Sequence, residues 1–309
     1  PSWTVPGGVN APLEGAVRDR LLAELPNAKA IARRTLDFFK GVLDGFAEEI
    51  AHFGNWPTMY AGLVDSQGGM QIYDGRLRFL DAQGSKAADQ VEPARYQDYI
   101  GEASLSNSYL KAPYYKPIGY PEGIYRVGPL ARLNVADHLG TPDADKEFAE
   151  FRQRCGQPAQ SSFHYHYARL IEIVWALEKI GMLLENPAIL DPFVRAHAGV
   201  NAPEGIGVAE APRGILIHHY KVDEKGALLW VNLIIATGHN NLAINRSIEQ
   251  VSKRFVDGNK LQEGMLNRVS AVVRAYDPCL SCSTHVAGQA ALRIQLLAPD
   301  GTVLDELRQ

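Results

Sequence analysis

Residues Asp277 to His285 read Asp-Pro-Cys-Leu-Ser-Cys-Ser-Thr-His, and this stretch narrows the chain's options further than any other. A helix running up to it must stop before Pro278, because the proline ring disfavours helical geometry in the residue preceding it. Cys279, Cys282 and His285 then recur every third residue, so one tight turn can aim all three side chains to one side. Two thiolates and an imidazole suit a soft or borderline ion such as nickel, iron or zinc. On spacing alone the set reads equally as a structural zinc site completed by Cys155, or as a redox dithiol. Cysteines number three in all. So sparse and odd a count points to a cytoplasmic protein using thiols for metal or redox work, not to a disulfide framework.

A chain of 309 residues, 46% of them hydrophobic, can bury one large core or two medium ones. Its net charge of -4 is interleaved along the sequence rather than blocked, which argues against nucleic acid or anionic lipid as a partner. The longest apolar runs, such as Ala227 to Ala236, fall far short of the ~20 residues a bilayer span requires. No membrane-spanning helix is expected.

Apolar residues at Val17, Leu21, Leu25, Ile31, Leu36, Phe39, Leu43, Phe46 and Ile50 make a helical stripe that Pro26 should divide into two consecutive amphipathic helices. Met70 to Tyr73 and Leu77 to Leu80 flank Asp74-Gly75 as the strands of a hairpin would. The segment from Ala87 to Asp137, rich in Tyr, Pro and Gly without a clear period, reads as irregular structure packed over the core. A helical period returns from Phe163 to Leu184, with Glu172 and Lys179 on its exposed side. Ile215 to Tyr220 and Leu228 to Ile235 read as a buried hairpin, Ile244 to Phe255 and Leu261 to Val272 as two helices, and residues 291–307 as a terminal hairpin. The expected fold class is mainly α, a long-helix bundle with small peripheral antiparallel β-sheets and the metal site at the bundle's end.

The Asp277 to His285 stretch matches, position by position, the C-terminal signature DPCxxCxxH of nickel–iron hydrogenase large subunits. Pro6-Gly7-Gly8-Val9, the FHYHYARL stretch of Phe163 to Leu170, and Glu210-Ala211-Pro212-Arg213-Gly214 lie upstream in that family's order. The chain thus resembles the C-terminal part of the large, catalytic subunit. Its wording, including Thr237 to Asn241, is most similar to the soluble bidirectional group that reduces NAD. This resemblance implies that Cys279 is a terminal nickel ligand and that Cys282 bridges nickel to an iron carrying cyanide and carbon monoxide. It implies that Arg213, preceded by Pro212 and paired with Asp277, is suspended over the metals, and that Thr237 hydrogen-bonds a cyanide. His285 and the main-chain carbonyl of Leu233 would hold a magnesium or similar ion. Reversible oxidation of hydrogen would then send electrons to a partner iron–sulfur subunit, then onward to a flavin and NAD diaphorase module. A maturation protease and a chaperone are further implied partners. Residues 1–285 would form the C-terminal part of the large-subunit domain and residues 286–309 a propeptide hairpin removed after metal insertion.

The family's N-terminal RxCGxC signature, the source of two more thiolates, has no counterpart in this sequence. Arg154-Cys155-Gly156 echoes it without the second cysteine, so Cys155 is not read as a ligand, and Pro1 is expected to follow a missing segment. Two other readings remain. One is a non-catalytic scaffold akin to the quinone-site subunit of respiratory complex I, against which the retained cysteine pair argues. The other is a zinc protein using Cys279, Cys282 and His285. His164, His166, His218, His219 and His239 read mostly as satisfied core histidines, and Glu210 as a buried acid.

Overall fold

The computed structural model describes residues 3–106, 108–197, 202–258, 260–283 and 293–308. Its centre is a set of packed helices, α1 (Gly15–Gly45), α2 (Pro129–Val135), α3 (Pro142–Cys155) and α4 (His164–Glu185), with α4 touching the other three. Pro26 does not divide α1, contrary to expectation; the break falls at Phe46, before a short helix at Ala47–Ala51. An internal proline removes one main-chain hydrogen bond. The helix tolerates that loss because its packing is concentrated beyond the proline, where Ala32, Leu36 and Leu43 are buried. Lys40 bridges α1 to α3 through Glu147 at 2.6 Å and Glu150 at 2.5 Å. From α4, the Glu178 carboxylate accepts the Thr141 hydroxyl at 2.6 Å and the amides of Asp143 and Ala144. It thereby satisfies donors that the first turn of a helix leaves unpaired.

A four-stranded sheet lies beside the bundle in the order β3 (Lys86–Val91), β2 (Arg76–Leu80), β1 (Met59–Val64), β6 (Tyr125–Arg126). The partners of β2 are therefore Met59–Val64, with Tyr60 opposite Leu80, and Lys86–Val91, not Met70 to Tyr73. All six residues of β1 are buried, and a strand covered on both faces has no alternation to betray it. The stretch expected to be irregular also holds β3, a hairpin of β4 (Ile100–Leu105) and β5 (Ser108–Tyr115), and α2. Its tyrosines do pack: Tyr115 and Tyr125 lie against Phe79 at ring-centroid distances of 4.9 and 5.9 Å.

Beyond α4, β7 (Glu204–Ala211), β8 (Gly214–Val222) and β9 (Leu228–Ile234) form an antiparallel sheet with β8 in the middle. The β8–β9 hairpin is as expected, but it is not buried throughout, since Leu228, Leu229, Trp230, Val231 and Leu233 of β9 are exposed. Apolar composition shows what a strand can bury, not whether something covers it. Four helices follow, α5 (Ala236–His239), α6 (Asn241–Phe255), α7 (Glu263–Ala275) and α8 (Leu280–Ser283), and the described chain ends in the β10 (Arg293–Leu297) and β11 (Val303–Arg308) hairpin. That hairpin leans on the body through Ile294, packed with α6 and α7, and through Asp305, which accepts the Leu261 amide at 2.9 Å. No helix is long and apolar enough to cross a membrane among the described residues.

Candidate metal centre

Three turns converge: Pro212-Arg213 between β7 and β8, Ala236–His239 after β9, and Asp277 to Cys282 after α7. The last is set by α7, which stops at Ala275. Tyr276 is buried, and its hydroxyl meets Ser247 Oγ at 2.8 Å and Ser162 Oγ at 3.3 Å, tying the helix end to α6 and to the residues leading into α4. Asp277 then takes a left-handed conformation, φ 52°, which aspartate adopts more readily than most residues. With Pro278 next, the chain turns out of the helix into the short cysteine turn.

Arg213 reaches this turn from the other side. Its Nε donates to the Asp277 carbonyl and forms an ion pair with the carboxylate at 3.2 Å. Thr237, itself buried, accepts the Cys279 amide on its hydroxyl oxygen at 3.0 Å. Accepting that bond leaves the hydroxyl proton available for another acceptor. Cys279 and Cys282 lie with Cα atoms 5.3 Å apart and their sulfurs joined as a disulfide. As a dithiolate the same pair would present two soft donors on one turn. Arg213, Thr237, Asp277, Cys279 and Cys282 thus meet in one place. Cys282 is exposed and Cys279 half-buried, so the donor set is open on one side. Two thiolates so placed fit a soft metal ion.

The Arg213 turn is held closely from behind. Gly128, at φ 91°, lies so near that a Cβ there would stand 2.6 Å from the Arg213 carbonyl oxygen. Val127 beside it exchanges hydrogen bonds with the Asn240 side chain at 2.9 and 3.3 Å, and its carbonyl accepts the Tyr165 hydroxyl at 2.9 Å.

The sequence profile of the nickel-dependent hydrogenases matches residues 72–285, a span that takes in each of these turns. The chain belongs to that family. It is 38% identical over 294 residues to a subunit of the F420-non-reducing hydrogenase vhc of Methanococcus voltae, covering 94% of this chain and 62% of the relative. It is 36% identical over 317 residues to the beta subunit of the NAD-reducing hydrogenase HoxS of Cupriavidus necator, covering 98% of this chain and 64% of the relative. The crystal structure of an NAD+-reducing [NiFe]-hydrogenase in its H2-reduced state superposes with a TM-score of 0.87 at 37% identity, over 92% of this chain and 63% of that one. The chain therefore spans somewhat under two thirds of the relatives it matches.

Against this hydrogenase framework, the remaining sequence expectations sort by position. Leu233 lies in β9 opposite His218, while His285 is outside the described residues. Cys155 sits at the end of α3, where burial pushes its thiol up to about 12. Among the described residues no three His, Cys, Asp or Glu side chains gather as a metal would require, so Cys155 does not complete a zinc set with the cysteine pair. Glu172, expected on the exposed face of α4, instead turns inward to Arg132, its side chain 16% exposed. Arg132 lies in the segment from Ala87 to Asp137, where no period marks it as a core residue. A lone arginine in the apolar run from Pro129 to Val135 was the available signal.

His164, His166, His218, His219 and His239 are buried or half-buried, but His164 Nδ1 has no hydrogen-bond partner among the described residues. His219 bonds Tyr96 and Glu204, His218 bonds Tyr220, and His239 bonds Tyr125. Burial pushes His164 and His166 down to about 4, aided by Arg126 and Arg169 respectively, and takes His239 down to about 3. A histidine whose folded pKa lies below its unfolded value stabilises the fold fully above about 6.5, and loses that contribution as pH falls toward the folded pKa. Three such groups weaken the fold by about 4 kcal/mol per pH unit near pH 5.5. Glu210 acts in the opposite sense: burial outweighs the nearby Arg132 and raises it to about 7, which works against this loss as pH falls. Urea unfolding should therefore show the midpoint dropping steeply between pH 6.5 and 5. A midpoint that stays flat over that range would contradict the buried-histidine assignment.

Proposed function

We propose that this chain is the metal-bearing C-terminal part of a hydrogenase large subunit that reversibly oxidises hydrogen to two protons and two electrons. The observation that carries this reading is the meeting of Arg213, Thr237 and Asp277 at the Cys279–Cys282 turn in a chain of the nickel-dependent hydrogenase family. Cys279 would hold nickel and Cys282 would bridge nickel to iron, with two further thiolates coming from a segment that corresponds to the family's RxCGxC signature. When bound, the nickel–iron centre, with cyanide and carbon monoxide on iron, supplies the low-valent site at which hydrogen is split. Around it Arg213 provides a fixed cation that stabilises developing charge. Asp277 orients that cation through carbonyl and carboxylate. Thr237 has a hydroxyl proton to give to a cyanide while its oxygen fixes the Cys279 amide. Pro212 stiffens the approach to Arg213. His285 and the Leu233 carbonyl would hold magnesium, with water and carboxylates completing the shell of a hard cation.

Electrons would leave through a partner iron–sulfur subunit, because this chain has no cysteine set for a cluster. A flavin and NAD module beyond it is the reading favoured by the likeness to the NAD+-reducing structure. The similar identity to the F420-non-reducing relatives supports a second reading with a different final carrier. In the cytoplasmic setting, residues 286–309 would be the propeptide that a maturation protease removes once a chaperone-assisted centre is in place.

The test is to produce the complete polypeptide with its iron–sulfur partner and maturation proteins, and to measure metals and hydrogen-dependent dye and NAD reduction. Stoichiometric nickel and iron with hydrogen-dependent dye reduction is the expected result, and NAD reduction on adding the diaphorase module selects the first carrier. Stoichiometric zinc without nickel would transfer the assignment to a zinc protein, and a folded assembly without either metal would favour the complex I-like scaffold.

A further inference from the structure

We propose that Arg132 is the positioning residue for Arg213, fixing where its guanidinium stands relative to Asp277 and the cysteine turn; this rests on the hydrogenase reading above. Arg132 is buried, its side chain 3% exposed, and makes five hydrogen bonds. Nε donates to Glu172 Oε1 at 2.6 Å and Nη2 to Glu172 Oε2 at 2.8 Å. Nη1 donates to Glu210 Oε2 at 2.8 Å and to the Ala211 carbonyl at 3.0 Å, and Nη2 donates also to the Pro212 carbonyl at 3.0 Å. A guanidinium has five N–H groups in a rigid planar fork, and here that number of contacts holds two carboxylates and two successive carbonyls.

Those carbonyls belong to the two residues immediately before Arg213. Each lies in a planar peptide unit, and Pro212 has its φ locked by its ring, so holding both carbonyls removes most of the freedom by which Arg213 could swing. The same helix braces the far side of the turn. Gly128 meets the Arg213 carbonyl, and the Arg132 amide donates to the Gly128 carbonyl at 2.8 Å. One turn of α2 therefore touches the Arg213 segment both before and after the side chain that faces the cysteines. A simple stability role accounts poorly for this arrangement, since a buried ion pair is often no better than an apolar replacement. Preorganisation accounts for it well, because a displacement of about 1 Å in a catalytic group can cost on the order of a hundredfold in rate. Lysine at 132 would keep the charge that Glu172 and Glu210 need, but a single ammonium with three donors cannot span both carbonyls and both carboxylates.

The experiment compares R132K, R213K and the double variant in the complete metal-loaded protein bound to its iron–sulfur partner. R132K should retain nickel and iron, lower kcat about ten- to a hundredfold with KM for hydrogen little changed, and speed amide exchange in the peptide containing Arg213 and Gly214. The double variant should be no slower than R213K within about threefold, because two changes acting through one group are not additive. Losses that multiply, or unchanged exchange at Arg213 and Gly214, overturn the proposal. If R132K fails to fold, E172Q loosens the same fork more gently and should show a smaller kcat loss that likewise vanishes in the R213K background; an unchanged kcat in E172Q would also overturn it. Should R213K itself turn over at the parent rate, the hydrogenase role of Arg213 falls, and the exchange measurement, which needs no turnover, still decides whether Arg132 sets its position.

Discussion

Replacing Cys279 by serine in the complete, partnered protein is expected to abolish nickel retention and reduce hydrogen turnover by more than about a thousandfold. The substitution is nearly isosteric, so the fold has little reason to respond. The residue 279 amide would still donate to Thr237, and α7 would still end at Ala275 under the Tyr276 hydroxyl cluster. What changes is the donor. A thiol deprotonates readily beside a soft metal, whereas a serine hydroxyl stays protonated near neutrality and offers a hard oxygen. Cys282→Ser should behave in the same way, with iron lost as well if its sulfur bridges two metals. Cys155→Ser is the informative control. Its thiol, held up at about 12 by burial, does not share the cysteine turn, and its replacement should leave metal content and turnover intact. Elemental analysis and melting temperature on the same preparations separate lost ligation from lost fold. Stoichiometric nickel in Cys279→Ser would remove this residue from the centre.

The places where sequence was readable follow from where the information sits. A long helix with one buried face carries its period along its own length, and α4, α6 and α7 all showed it. The turns that meet at the cysteine pair were readable for a different reason. Arg213 and Cys279 lie in short stretches, Glu-Ala-Pro-Arg-Gly and Asp-Pro-Cys, whose unusual residues are set by close turns, so the resemblance could name them without any contact being known. What failed was whatever depends on an environment supplied from elsewhere. Strand β1 is covered on both faces and so alternates nothing. Pro26 is tolerated because packing lies farther along α1. Glu172 was placed at the surface by helical phase alone, yet Arg132, 40 residues away, draws it inward. Arg132 in turn reaches Glu210 across 78 residues. A buried polar network of that kind leaves only one trace in a single sequence, a charged residue where the apolar pattern has no room for one.

Arg213→Lys should leave nickel and iron bound and lower kcat by about a hundred- to a thousandfold, the range seen when one preorganised stabilising group is removed. The geometry explains why charge alone will not suffice. In the parent chain Nε serves the Asp277 carbonyl and its carboxylate at 3.2 Å, and Nη2 donates to the same carboxylate at 3.4 Å, so orientation is settled by one edge of the planar fork while Nη1 remains to act on the centre. A lysine ammonium has one nitrogen for both tasks. If it follows Asp277 it abandons the metals, and if it faces the metals it loses the contact that fixes it. Stability should scarcely move, because the Arg213–Asp277 pair is 36% and 47% exposed and an ion pair so open to solvent contributes at most about 1 kcal/mol. Metal content, melting temperature and hydrogen-dependent dye reduction, measured together, make the prediction decisive. Full metal with turnover within threefold of the parent would mean that Arg213 stands near the cysteines as a structural neighbour of Asp277 and has no part in splitting hydrogen. A sharp kcat loss at constant metal and constant melting temperature would leave its action on the reacting atoms as the remaining explanation, and would give the Arg132 clamp behind it something to position.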